Sequence, residues 1–304
     1  MSDRERLLQE LQPTSFAIAY RMLGSVSEAE DVVQEALLRV HQALEAGEQL
    51  TSPRAFVATI TTRLAINELR SARARRERYV GEWLPEPIIT DGTDDPAQQA
   101  EMADSLSLAM LVLLESLSPE QRAVLLLHDV FDYDHAEIAD IIGKSTVGVR
   151  QLATRARKHV EQRRPRFQTS DEQRDALARR FFQAVEQGDL AGLETLLASD
   201  VQLTGDGGGK VPALAQTLHG RARVASTIIN WPRITDVAGV SLRLVEVNGG
   251  PGALYLDARQ RLVAVIALDI AGGQIRSINS ILNPDKLAHL GPVGDFRALV
   301  ESAR

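Results

Sequence analysis

The chain contains no cysteine, which excludes disulfides and thiolate metal sites and makes a reducing cytoplasm its expected home. Its six histidines are scattered, without HxxxH or HExxH spacing, so no metal site is expected. No apolar run approaches the roughly eighteen residues of a membrane span, and the polar opening MSDRERLLQE does not read as a secretory signal. Also missing is the α/β repeat of a receiver domain, which a two-component response regulator needs. What is present is 304 residues, 44% hydrophobic and 25% charged. That is the composition of a soluble globular protein with room for two or three domains.

A net charge of -7 is unpromising for a nucleic-acid binder, but it averages patches of opposite sign. Arg63, Arg70, Arg73, Arg75, Arg76 and Arg78 stand against only Glu68 and Glu77. From Lys144 to Arg166 the basic residues are opposed by Glu161 alone, whereas residues 82–104 carry seven acids and no base. Screening limits electrostatic reach to roughly 8–10 Å, so local patches govern phosphate contact. Two basic elements joined by an acidic connector are compatible with DNA binding.

The second basic patch contains DHAEIADIIGKSTVGVRQLATRARKHV, residues 134–160. Asp134 and Glu137 have capping-box spacing, Gly143 suits a left-handed helix end, and Ser145 suits the next N-cap. Val149, Leu152, Ala153, Ala156 and Val160 repeat at helical spacing and face inward. Thr146, Val147, Arg150, Gln151, Thr154, Arg155, Arg157 and Lys158 are left outward, a donor-rich face that fits a DNA major groove. An ordinary helical hairpin with a solvated basic face is the other reading of this stretch.

Upstream, residues 5–24 are amphipathic, with Pro13 expected to break or bend the helix. Residues 28–44 put Ala29, Val32, Val33, Ala36, Leu37, Val40 and Leu44 on one face, and Asp31, Gln34, Glu35, Leu38 and Arg39 on the other. Leu38 is an apolar residue among charges, which suits a protein interface as well as a solvated surface. A third helix starts near Pro53 and ends arginine-rich.

SEAEDVVQEALLRVHQAL followed by SPRAFVATITTRLAINELRSARARR resembles conserved region two of extracytoplasmic-function (ECF) sigma factors. The stretch from LSPEQRAVLLLHDV through EIADIIGKSTVGVRQLATRARKH resembles their region four. The resemblance implies docking of Asp31, Gln34, Glu35, Leu38 and Arg39 on the β′ clamp helices of core RNA polymerase, and contact with the β flap. It also implies melting of the −10 element, with the loop 47–52 holding a flipped base and Arg63, Asn67, Arg70, Arg73, Arg75 and Arg76 forming a cationic track for the strand. Arg63 departs from the family pattern, where asparagine is frequent. The plain alternative for these arginines is a helix end that favours cations through its macrodipole. Thr146, Val147, Arg150, Gln151, Thr154, Arg155 and Lys158 would face the −35 element.

The connector is rich in acid, proline and glycine, which reads as flexible and extended. Within it, Trp83, Leu84, Pro85, Glu86 and Pro87 are unusual, since a disordered linker has no use for an exposed tryptophan. Either the motif packs on a neighbouring domain, with Trp83 as anchor, or it binds a partner.

Beyond Ser170 the pattern changes to helix 171–187, a short helix to Leu197, strand 201–205 and β-rich runs at 240–247, 253–257, 262–270 and 274–281. Helices first and antiparallel strands after indicate an α+β fold. This tail resembles a SnoaL-like, ketosteroid-isomerase-like cone, and the whole chain resembles the SigJ-like ECF subgroup. The resemblance rests on WLPEP, on Asp206, Gly207, Gly208, Gly209 and Lys210, and on Asn283, Pro284, Asp285, Lys286 and Leu287. The expected architecture is region two over 1–80, an acidic linker over 81–105, a region-four helix-turn-helix over 106–167, and a SnoaL-like regulatory domain over 168–304. The two sigma domains are all-α and the cone is α+β.

Catalysis in such a cone would need a poised carboxylate or histidine. Asp206 is the obvious candidate, and Tyr255, His219 and Asp269 have less to recommend them. Alternatively, Asp206 binds backbone amides in a tight glycine turn. The expected function is promoter-specific initiation controlled in cis by the tail: not an enzyme, without cofactor or metal, and with no separate anti-sigma factor obligatory. The tail is expected to act by bringing the glycine loop and the NPDKL segment onto WLPEP. Residues 288–304 are expected to form a helical peptide packing on the body.

Overall fold

The computed structural model describes residues 3–76, 78–91, 107–162, 169–230 and 239–302. The chain divides into two compact units, the first built mainly from residues 1–77 and 110–164, the second from 78–92 and 165–304.

In the first unit, α1 (Asp3–Leu23), α2 (Val26–Glu45) and α3 (Pro53–Arg76) pack together. Leu11, Ala36, Val40 and Val57 form the centre of one apolar cluster there. Ser15 and Thr61 share a buried 2.7 Å hydrogen bond between α1 and α3. Pro13 does not break α1. The missing donor costs on the order of 3 kcal/mol, and α1 recovers it by burying Leu11, Ile18, Ala19, Met22 and Leu23 around that point. The remaining helices are α4 (Leu108–Leu114), α5 (Pro119–Asp129), α6 (His135–Ile142) and α7 (Thr146–Glu161). Val124, Leu127, Ile138, Ile141, Val149 and Ala153 fasten α5, α6 and α7 into a second cluster.

The second unit opens with α8 (Asp171–Gln187) and α9 (Leu190–Leu196), followed by β1 (Leu197–Asp206), β2 (Leu218–His219) and α10 (Arg221–Ile228). Then come β3 (Ser241–Val247), β4 (Gly250–Leu256), β5 (Leu262–Ala271) and β6 (Gln274–Ile281). The sheet order is β2-β1-β6-β5-β4-β3. The sheet is mixed rather than purely antiparallel, because β1 runs parallel to β6. β1 also starts four residues earlier than the sequence pattern indicates: Leu197 and Ala198 are fully buried and prolong the strand. Phe181, Phe182, Leu193, Val224 and Ile228 from the helices share one apolar core with Ile266, Leu268 and Ile278 of the sheet. The last helices, α11 (Pro284–Leu287) and α12 (Phe296–Ser302), follow the sheet, and Phe296 and Leu299 of α12 pack against the cone core.

The expectation of a flexible connector fails over residues 79–91. Leu84, Pro85, Glu86 and Pro87 are buried, and Ile89 bridges Val247 at the end of β3. Prolines that pre-extend the backbone lower the entropy cost of laying it down. The acidic stretch 92–106 lies outside the described residues.

Candidate functional site

The helix-turn-helix is set by local chemistry. Asp134 accepts the N–H groups of Ala136 at 2.7 Å and Glu137 at 2.9 Å, while Glu137 accepts the Asp134 N–H at 2.8 Å. The two backbone donors, Glu137 first, hold the Asp134 carboxyl below the usual carboxylate range. Gly143 ends α6 in the left-handed region at φ 67°. Ser145 caps α7 by accepting the Gly148 N–H at 3.1 Å. Val149, Ala153, Ala156 and Val160 are buried, while Val147, Arg150, Gln151, Thr154, Arg155 and Lys158 are exposed and Thr146 is half-buried. Arg157 is turned aside to pair with Asp129.

On α2, Asp31, Gln34, Leu38 and Arg39 are exposed and Glu35 is half-buried, paired to Arg39 at 2.7 Å. Leu38 is 49% exposed.

Arg63, Arg70 and Arg76 of α3 are already engaged within the first unit. Arg63 donates from Nε to the Ile141 carbonyl at 2.7 Å and from Nη2 to the Asp140 carbonyl at 2.9 Å, at the end of α6. These are terminal carbonyls that favour a cation. Arg70 pairs with Glu120 at 2.6 Å. Burial works to raise the Glu120 carboxyl, but the Arg70 hydrogen bond and neighbouring groups outweigh it and leave the carboxyl lowered. Arg76 donates to Glu115 and, at 2.7 Å, to the Leu23 carbonyl. Asn67 is exposed, and the side chains of Arg73 and Arg75 lie outside the described residues.

Glu115 also accepts from Arg122 at 2.6 Å, and Arg122 is 1% exposed. Burial pulls the Arg122 guanidinium below its ordinary value. Its Nε reaches the Arg21 carbonyl at 3.2 Å. Sequence reasoning missed Glu115, Glu120 and Arg122. The available signal was Arg122 directly before the apolar run AVLLL, where a core-facing helix would ordinarily continue with an aliphatic residue.

In the second unit the three strings meet. Asp206 ends β1 fully buried. Its Oδ1 accepts the Tyr79 hydroxyl at 2.6 Å and the Gly208 N–H at 3.0 Å. Its Oδ2 accepts the Leu84 N–H at 2.8 Å and Lys286 Nζ at 2.6 Å. Lys286 also donates to the Leu84 carbonyl and lies 4.1 Å from the Trp83 ring centroid and 4.9 Å from that of Tyr79. Asn283 donates to the Tyr79 hydroxyl at 2.8 Å. Burial, then the bond to Asp206, push the Tyr79 phenol well above its ordinary value.

The glycines are needed for this approach. A Cβ on Gly208 would lie 2.3 Å from Asn283 Nδ2, and one on Gly207 would lie 2.4 Å from the Val211 carbonyl. Lys210 pairs with Asp285 at the surface, 2.5 Å apart. Further along the strap, His289 Nε2 meets the Pro87 carbonyl at 2.8 Å and the Ile88 N–H reaches Asn248 Oδ1 at 3.1 Å. Thr90 and Glu246 pair through backbone at 2.9 Å. Tyr79, His289 and Asn248 escaped the sequence reading.

The buried anchor of the strap is Leu84, at 1% exposure, whereas Trp83 is half-buried over the Lys286 ammonium. Both Asp206 oxygens are already shared between two donors, which suits a structural carboxylate rather than a general base. The other catalytic candidates are dispersed. Tyr255 sits in the cone core, its phenol raised by burial and then by Glu186. Asp269 on β5 is raised by burial against Arg276 and Arg174. His219 is exposed on the edge strand β2.

A three-helix domain with an arginine-ended third helix, joined in one chain to a helix-turn-helix, fits the two DNA-reading regions of an RNA polymerase sigma factor. Residues 7–75 match Sigma-70 region 2, and residues 107–160 match Sigma-70, region 4. The ECF RNA polymerase sigma factor SigJ of Mycobacterium tuberculosis is 36% identical, over 98% of this chain and 96% of that protein. The probable ECF RNA polymerase sigma factor SigI of the same organism is 32% identical over 89% of this chain and 90% of its own length. The crystal structure of M. tuberculosis SigJ matches with a TM-score of 0.74 at 33% identity, covering 93% of this chain and 96% of that one. The chain belongs to the ECF family of RNA polymerase sigma factors. It binds core RNA polymerase and promoter DNA to direct transcription initiation, and it is not an enzyme.

Proposed function

We propose that the two halves of promoter reading are divided between α7 on the −35 element and α3 on the −10 element, and that the C-terminal cone controls them in cis. The observation that carries this reading is the buried Asp206–Lys286 pair closed over the backbone of Leu84. Residues 79–91 belong to the only covalent route from region two to region four. Residues 79–91 of that route are fastened to the cone. The glycine loop and the NPDKL helix thus act on the sigma regions through the connector, and a separate anti-sigma factor is not obligatory. The factor works in the cytoplasm, where its polymerase is; no helix among the described residues is long and apolar enough to cross a membrane.

A second level of control lies inside the first unit. Arg63, Arg70 and Arg76 hold the region-four helices in this arrangement, so they reach −10 phosphates only after those contacts break. Docking on the β′ clamp helices uses Asp31, Gln34, Glu35, Leu38 and Arg39, and region four contacts the β flap. Leu38→Asp is expected to weaken binding to core polymerase at least about tenfold, since a charge replaces an apolar contact at an interface, while circular dichroism stays unchanged. Equal affinity of variant and parent, titrated against core polymerase, removes α2 from the docking surface.

Arg150→Ala tests the −35 assignment. A good base contact contributes about 1–3 kcal/mol of discrimination, so the variant holoenzyme loses more affinity for its own −35 element than for scrambled duplex. Equal losses on both duplexes reduce Arg150 to a phosphate contact.

A further inference from the structure

Val147 is the second residue of α7 and is 64% exposed. A β-branched residue loses rotamer freedom in a helix, and among the described residues Val147 recovers little of this by packing. Its position is set by the cap: Ser145 holds the Gly148 N–H, and a Cβ on Gly148 would come within 3.2 Å of Ser145 Oγ. Helical spacing places Val147, Arg150, Gln151 and Thr154 at i, i+3, i+4 and i+7, one outward strip. Arg150, Gln151 and Thr154 are all exposed, and the Thr154 hydroxyl donates back to the Arg150 carbonyl at 2.9 Å. An apolar group therefore heads a row of hydrogen-bonding ones.

The major groove offers one apolar base feature, the 5-methyl group of thymine, while arginine pairs best with guanine and glutamine with adenine. Recognition helices contact base edges through their N-terminal residues, where Val147 lies. We propose that Val147 reads the methyl group of a thymine in the −35 element, beside bases read by Arg150 and Gln151. This rests on α7 being the −35 reader.

The test uses holoenzyme assembled from the full chain and core polymerase. Its −35 element is first selected from randomised duplexes, and each thymine on either strand is then replaced singly by deoxyuridine, which deletes only the methyl group. One replacement is expected to weaken the parent holoenzyme about fourfold, the transfer free energy of one buried methyl. The same replacement leaves Val147→Ala holoenzyme unaffected, and that variant still discriminates the base read by Arg150. Neutrality of every replacement in the parent, or an equal loss in Val147→Ala, overturns the role of Val147 while leaving α7 as the reader. Selection that yields no preferred −35 sequence overturns both.

Discussion

Lys286→Met is expected to cost the C-terminal unit about 3–5 kcal/mol, because it leaves the Asp206 carboxylate fully buried without its cation. The loss should be local as well as global. The Leu84 N–H and C=O are both tied to the pair, so amide exchange at residues 84–90 accelerates and proteases gain access to the connector. Asp206→Asn combined with Lys286→Met replaces two charges with neutral groups, and its cost is smaller than the sum of the single changes. Chemical denaturation of the three variants measures this coupling. Additive costs would mean that the pair does not act as a unit and that the strap is held by its packing and by the bonds of Pro87, Ile88 and Thr90 to His289, Asn248 and Glu246.

Glu115→Gln carries the second large effect, about 3 kcal/mol or more on the first unit. Glu115 accepts from both Arg76 and Arg122, and Arg122 has almost no solvent to fall back on. Pairing Glu115→Gln with Arg122→Leu removes the stranded charge and recovers part of the loss. In the single variant Arg76 is released from its carboxylate, so binding of a −10 non-template strand by holoenzyme increases even as thermal stability falls. Stability unchanged from the parent refutes the placement of Arg122 as a buried charge dependent on Glu115.

The helix-turn-helix and the Asp206 cluster differ in how far they can be read from the chain. The helix-turn-helix is local: the Asp134 capping box, Gly143 and the Ser145 cap all act within four residues of their partners, and a pattern of such reach survives in linear sequence. Strands β3 to β6 are nearly as plain from their apolar runs and glycine turns, whereas β2 went unread and β1 begins four residues before its expected start. Asp206 meets Leu84 across 122 positions and Lys286 across 80, and no periodicity carries that information. Only the resemblance pointed to those strings as a group, and the rule that aromatics anchor interfaces put the anchor at Trp83 rather than Leu84. Composition misled on the connector, because acid, proline and glycine describe an unpartnered chain, and 79–91 has a partner in the cone. Pro13 misled for a related reason: a local penalty of one hydrogen bond was outweighed by packing along both sides of α1. Arg122 was hidden because a charge among leucines has meaning only beside Glu115 and the Arg21 carbonyl.

The most direct test of cis control is transcription in vitro by core polymerase with the full chain or its Lys286→Met variant, on a promoter selected by the parent holoenzyme. Amide exchange on the same preparations establishes that the connector is released. Control through the connector predicts that transcript yield changes severalfold at saturating core polymerase, with the start site kept. A released connector together with an unchanged yield would contradict it.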